Sequence, residues 1–218
     1  MAEVAAAIPN RRPLIAILAA AGVAGPILFT VLVVVQSVLN PDYSQVALPI
    51  SALAAWPSGW IQSLNFYVFG LLMIAFAIGL HLGVRRAPGG LIGPALLVVS
   101  GLGLLVAGSF PWSRAGGAFV VPPGHLGGAF LAFLGAGIGL VVISRRMAGD
   151  PWWRSLATYA LATGIAMVIL FLASALARSP DAPLGPWGGV IQRMTVLLWF
   201  ICTIILALRL WRVAVDSH

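Results

Sequence analysis

Residues 13–39 read PLIAILAAAGVAGPILFTVLVVVQSVL, an apolar run in which Thr30, Gln36 and Ser37 are the polar side chains. Crossing about 30 Å of hydrocarbon as a helix takes about 20 residues, so this stretch is long enough to span a bilayer. It is too long for the apolar core of a cleavable signal peptide. The segment Val35-Gln36-Ser37-Val38-Leu39-Asn40 also offers no small-x-small cleavage site, so a retained crossing is expected. Working outward, five further runs of spanning length follow at 61–84, 89–110, 124–144, 155–177 and 188–210. The chain is therefore predicted to be an all-α polytopic membrane protein, a single domain over residues 1–218 with six transmembrane helices in one bundle.

Composition agrees. Of 218 residues, 61% are hydrophobic and 8% charged, and the mean hydropathy is +1.06. A soluble domain carries about 25% charged residues to cover its surface, so soluble enzymes and extended disordered tails are excluded. The basic residues are all arginine. Without lysine there is no Schiff base to retinal, pyridoxal phosphate or a carbonyl substrate, and no P-loop. The lone Cys202 forbids an intrachain disulfide and a cysteine-ligated metal site, and reads as a small packing residue.

The arginines predict the orientation, because basic residues flanking spans stay cytoplasmic. Arg11, Arg12, Arg85, Arg86, Arg145, Arg146, Arg154, Arg209 and Arg212 fall on one side, Arg114 and Arg178 on the other, and Arg193 lies within the sixth run. Both termini are thus expected in the cytoplasm, with the protein in the inner (cell) membrane. The net charge of +7 is topological, and no nucleic-acid partner is expected, since that would need a basic, aromatic-bearing soluble face. All-arginine usage hints at a GC-rich bacterial genome.

Cytoplasmic connections are short, and Trp152 and Trp153 are expected at headgroup depth there. The outer connections are longer. Residues 40–60 carry Asp42, Tyr43, Ser51, Trp56 and Trp60, with a short surface helix expected over 46–60, interrupted by Pro49 and Pro57; residues 111–123 carry Trp112, Ser113 and Arg114; residues 178–187 carry Asp181 and Trp187. Loops of this kind are where sites tend to be built. A weak echo joins Gly22-x-x-Gly25-Pro26 to Gly90-x-x-Gly93-Pro94, read as close helix packing rather than as a transporter repeat.

Polar side chains inside a membrane need a partner or a purpose. By depth, Gln62, Asn65, Ser109, His125, Gln192 and Arg193 lie within about two helical turns of the outer surface, whereas the cytoplasmic half offers His81 alone, expected to be interfacial. In the sixth run Gln192, Thr195, Trp199 and Thr203 form a stripe at three-to-four-residue steps, with Arg193 one position off it. Behind His125 stand Gly128, Ala129, Ala132, Gly135 and Gly139, a small-residue face that lets another helix approach closely; whether 135–139 packs within one chain or against a neighbour, and hence the oligomeric state, is open. The functional reading is an outward-facing polar pocket for a lipid-like or amphiphilic, anionic ligand. Arg193, Gln192, His125, Asn65, Gln62, Ser109 and Trp199 bind it, with the guanidinium fork on the anion and His125 titrating or hydrogen-bonding near neutral pH. The structural alternatives are interhelical hydrogen bonds that merely hold the bundle together and, for Arg193, an outward reach to a lipid phosphate.

The order Ser51-Ala52-Leu53, Gly59, Asn65, Phe110-Pro111, Gly124-His125, Gln192-Arg193 and Trp199 resembles a bacterial and archaeal six-helix membrane family grouped as domain of unknown function nine-nine-eight. The resemblance covers nearly the whole chain and implies a fold and a membrane location without an established activity. Members often carry an acidic residue shortly after the Phe-Pro pair, where this chain has Trp112-Ser113-Arg114. The chain also looks distantly similar, in fold alone, to eukaryotic six-helix families linked to lipid and stress regulation.

Enzyme classes narrow further. Pro122-Pro123-Gly124-His125 looks superficially like the Pro-Ser-Gly-His element of membrane phosphatases, but the lysine motif and second histidine are missing. Asp42, Asp150, Asp181 and Asp216 stand singly, so neither a magnesium-pyrophosphate site nor any other metal site is expected. His81 and His125 sit on opposite sides, which argues against haem, and no cofactor is expected. What survives besides binding is a metal-free membrane enzyme of cyclase or hydrolase type on an isoprenoid or lipid, with His125 as acid/base beside Asp42 or Asp181, or a small-molecule transporter.

Overall fold

The structure is a computed structural model that describes residues 11–84, 90–177 and 182–216. Six long helices carry the chain: α1 (Arg12–Leu39), α2 (Trp60–Gly83), α3 (Ile92–Ser109), α4 (Pro123–Ala148), α5 (Arg154–Ala173) and α6 (Gly188–Asp216). All six are long and apolar enough to cross a membrane. Three ends deviate from the sequence reading by four residues or more, the first being α4, which continues from 144 to Ala148. α5 gives way to a 3₁₀ turn at Ser174–Ala177, where the Ser174 hydroxyl donates to the Phe171 carbonyl at 2.5 Å, and α6 continues past Leu210 to Asp216. The surface helix expected over 46–60 is instead a 3₁₀ helix confined to Ile50–Ala55, with Ile50, Ser51, Ala52 and Leu53 buried.

Consecutive helices pack as neighbours and α6 returns to α1, closing a ring; α2 also touches α6. Small residues permit this. A Cβ on Gly128 would lie 2.5 Å from the Ala107 nitrogen, and one on Gly103 2.5 Å from the Ala132 nitrogen, so α3 and α4 meet backbone to backbone. The glycines of 135–139 are used within the chain: Gly135 and Gly139 face α3, while Gly137 faces Gly164 of α5. The echoed prolines are not equivalent. Pro26 lies inside α1, whereas Pro94 sits in the first turn of α3.

The two ends of the bundle differ. At the arginine-rich end Phe76, Leu80, Met147, Trp153, Leu206 and Leu210 fill the interior at 0–1% exposure. Arg146, expected from sequence to mark topology, is 7% exposed. It donates to the carbonyls of His81 (2.9 Å), Gly90 (2.9 Å) and Val84, and Trp153 Nε1 donates to Gly83 at 3.1 Å. Together they satisfy the carbonyls that the end of α2 leaves without helical partners. Trp152 is exposed while Trp153 is fully buried, so one of the two tryptophans of this connection packs into the bundle.

At the opposite, loop-rich end the α3–α4 connection contains an antiparallel hairpin, β1 (Ser113–Ala115) and β2 (Ala118–Val120), with Arg114 opposite Phe119. Its turn, Gly116-Gly117, has φ of 57° and 83°, the left-handed conformation that two-residue hairpins demand.

Candidate functional site: an aromatic cavity at the loop-rich end

A cavity of about 800 Å³ occupies the loop-rich half of the ring, within the range of small-molecule sites. Its deepest wall is Phe29, Phe69, Phe133, Trp199 and Phe200, each about ten residues inside its helix and therefore ~15 Å from the helix ends. Their rings touch at centroid separations of 5.0–5.8 Å for the Phe29–Phe69, Phe29–Phe200, Phe69–Phe200, Phe69–Trp199 and Phe133–Trp199 pairs. The Phe133–Trp199 contact reaches across from α4 to α6.

Above this floor the wall rises through Phe66, His125, Trp112 and Phe119. The rings form a chain: Phe66 to His125 at 6.0 Å, His125 to Trp112 at 6.1 Å, Trp112 to Phe119 at 5.9 Å and Phe119 to Trp56 at 5.8 Å. The hairpin is thereby a roof. Arg114 clasps it from outside, its guanidinium 4.0 Å from the Trp56 ring and 4.8 Å from Phe119, a cation–π pair that holds β2 over the 40–60 connection.

His125 is 3% exposed. Its Nδ1 lies 3.0 Å from the Ala107 carbonyl and 3.1 Å from the Phe110 carbonyl. Both partners are acceptors, so Nδ1 carries the proton and Nε2 is the nitrogen with the free lone pair. Gln192 has the converse arrangement: its Oε1 accepts from the Ile50 N–H at 2.6 Å, which turns its Nε2 donors away from that bond. Two indole N–H groups of the wall, Trp112 Nε1 and Trp199 Nε1, are buried without an acceptor.

Of the residues expected from sequence to bind a ligand, His125, Gln192 and Trp199 line this cavity; the others are placed elsewhere. Gln62 and Asn65 fasten α2 to α1: Gln36 Nε2 donates to Gln62 Oε1 at 2.9 Å, and Asn65 Nδ2 to the Phe29 carbonyl at 3.2 Å. Ser109 is exposed and bonds its hydroxyl to Tyr67 at 3.0 Å. Asp42 is exposed and away from the lining, and Asp181 lies outside the described residues.

Arg193 departs furthest from its expected role. Nη1 donates to the carbonyls of Gln45 (2.6 Å), Leu48 (3.0 Å) and Gly189 (3.1 Å), and Nη2 to the Tyr43 hydroxyl at 2.6 Å. The first turn of α6 completes the clamp, with Gly189 N donating to Ala47 O and Val190 N to Val46 O, both at 3.1 Å. A Cβ at Gly189 would meet the carbonyl oxygens of Gln45, Val46 and Leu48 at 2.4–2.8 Å, so only glycine fits. Positive ends on α6 thus gather a crown of carbonyls from the 45–48 segment. Tyr43 is buried and donates to Pro49 O at 3.1 Å. Burial pushes its phenol above the ordinary tyrosine value, against the opposing pull of the Arg193 charge, which keeps it a donor.

Sequence reasoning singled out none of Trp112, Phe119 or Phe133 as site residues. The available signal was the Gly116-Gly117 pair before Phe119-Val120, a hairpin signature that brings residues 112 and 119 together.

No curated protein and no solved structure matches the chain. A family model described as "Protein of unknown function (DUF998)" matches residues 23–209. With that match over most of its length and six apolar spans packed together, the chain belongs to this membrane-protein family.

Proposed function

We propose that this protein binds a lipid-like amphiphile in the aromatic cavity, with the cavity mouth on the outer face of the inner membrane, as the arginine distribution favours. The observation that carries the reading is the cavity itself. It is about 800 Å³ in volume, partly open, and lined mainly by phenylalanine, tryptophan and aliphatic side chains, a surface better covered by an apolar body than by water. Leu126, Phe130 and Leu172 line the cavity and are 39–55% exposed, which supports entry of a lipid chain from the bilayer side.

Acid–base chemistry is the second reading, and one observation favours it. Backbone carbonyls fix the His125 tautomer and leave Nε2 unengaged on the cavity wall, as a general base requires. Transport draws less support, because the arginine-rich half is filled by side chains at 0–1% exposure.

Native mass spectrometry of detergent-extracted protein, beside the cavity-filling variant Ala129→Trp, tests the proposal. A co-purifying amphiphile is expected on the parent and lost from a variant of unchanged melting temperature. Equal retention by both, or no adduct on either, overturns it. Conversion of the identified amphiphile by the parent and not by His125→Ala would establish the second reading.

A further inference from the structure

We infer that the head group taken by this cavity is an uncharged oxygen, an alcohol or a carbonyl, and that phosphates, carboxylates and ammonium groups are rejected. The inference rests on the binding reading above and names the ligand class within it.

Charge is the first argument. Among the described residues, the cavity lining contains no Asp, Glu or Arg. The two described arginines at the loop-rich end are committed elsewhere: Arg193 to four oxygens of the protein itself, and Arg114 to the faces of Trp56 and Phe119 outside the roof. Among the described residues, an anionic head group entering here would lose its hydration without meeting a counter-charge, and a cation would meet no carboxylate.

Hydrogen-bond valence is the second. The Ala107 and Phe110 carbonyls fix His125 Nδ1 as a donor, which leaves Nε2 as an acceptor on the wall. The Ile50 N–H fixes Gln192 Oε1 as an acceptor, which leaves Nε2 as a donor on another part of the lining. A hydroxyl answers either group, donating to His125 or accepting from Gln192, at a lower desolvation cost than an ion. A carbonyl oxygen answers the Gln192 donor alone; the indole N–H groups of Trp112 and Trp199 have no protein acceptor but are sealed inside the protein and are not offered to the cavity. Neutral polar sites of this kind discriminate strongly, because a mismatched head group leaves buried partners unpaired. The remaining wall is aromatic and aliphatic and makes no demand beyond an apolar body.

The test uses the full chain in lipid nanodiscs and four probes sharing one tail: farnesol, farnesal, farnesyl phosphate and the hydrocarbon farnesene, each competing against radiolabelled farnesol. Farnesol and farnesal are expected to compete at concentrations at least about tenfold below farnesyl phosphate and farnesene, a difference of about 1.4 kcal/mol. His125→Phe and Gln192→Glu, the latter keeping the acceptor for Ile50, are each expected to reduce the advantage of farnesol over farnesene severalfold while leaving farnesene unchanged. Farnesyl phosphate competing as well as farnesol, or farnesene doing so, overturns the head-group inference while the cavity reading stands. Failure of all four probes to bind overturns the cavity reading and this inference with it. The wild-type ranking alone decides the matter if a variant fails to fold.

Discussion

Arg193 shows how depth in a span can mislead at the scale of one residue. Its position near the end of an apolar run is legible in the sequence, and so is the rule that a membrane arginine needs partners. The distant partners were not legible: the carbonyls of residues 45 and 48 stand about two thirds of the chain away and carry no side-chain signature, and nothing in the sequence pairs Tyr43 of the same connection with Arg193. The arginine therefore stabilises the 43–50 segment that forms one wall of the cavity. Arg193→Ala is expected to destabilise the protein by about 2–4 kcal/mol, as loss of several charge-assisted hydrogen bonds implies, measured as the fall in melting temperature in detergent. Arg193→Lys should recover little of it, since one ammonium cannot replace a fork that reaches four oxygens. Tyr43 adds a pH dependence. Its folded-state pKa is raised by burial above the unfolded value of about 10, so the protonated phenol favours the fold below about pH 10. That contribution is lost as pH rises through the folded-state value, where the buried phenolate can no longer donate to Pro49. Melting temperatures followed from pH 8 to pH 11 should fall more steeply for the parent than for Tyr43→Phe; parallel curves would show that Tyr43 plays no such part.

Among elements, the helices were the most legible part. Runs of apolar residues longer than a bilayer crossing have one low-energy fate, because backbone groups in hydrocarbon must pair within their own segment. The small-residue face from Gly128 to Gly139 also announced a close helix contact, though not that α3 and α5 would be the partners. Gly128→Val should test it: with the Ala107 nitrogen 2.5 Å from the new Cβ, α3 and α4 must separate, at a cost of at least about 2 kcal/mol read as a lower melting temperature or loss of monodisperse protein. Legibility failed at the hairpin. Three-residue strands carry almost no periodicity, and a chain otherwise all helix gave β1 and β2 no neighbouring pattern to join. Trp112, read only as part of an outer connection, and Phe119, which was not singled out, are the residues that the hairpin folds over the cavity. Replacing Gly117 (φ 83°) by Val is expected to disturb this roof, since a β-branched residue resists positive φ, and to raise the accessibility of Trp112 to an aqueous quencher without a large change in global melting temperature.

For the molecule as a whole, the six-helix ring gathers two unlike ends. One is packed solid and capped by Arg146 and Trp153; the other is splayed around a cavity and held by the α6 clamp. Charge distribution proposes which end faces which compartment, and the single native thiol, buried on α6, makes that testable. In a Cys202→Ala background, a cysteine at Ser113 should react with a membrane-impermeant maleimide on intact cells, and one at Val215 only after permeabilisation. The reverse pattern would invert the assignment. The account depends above all on the cavity being occupied by an amphiphile while Arg193 stays bound to the protein's own carbonyls. An experimental density map of the protein in lipid nanodiscs tests both at once. The expected result is elongated non-protein density against Trp199, His125 and Trp112, with the guanidinium of Arg193 still on Gln45 and Leu48. A cavity collapsed onto its own side chains, or Arg193 swung out to hold a phosphate, would contradict it.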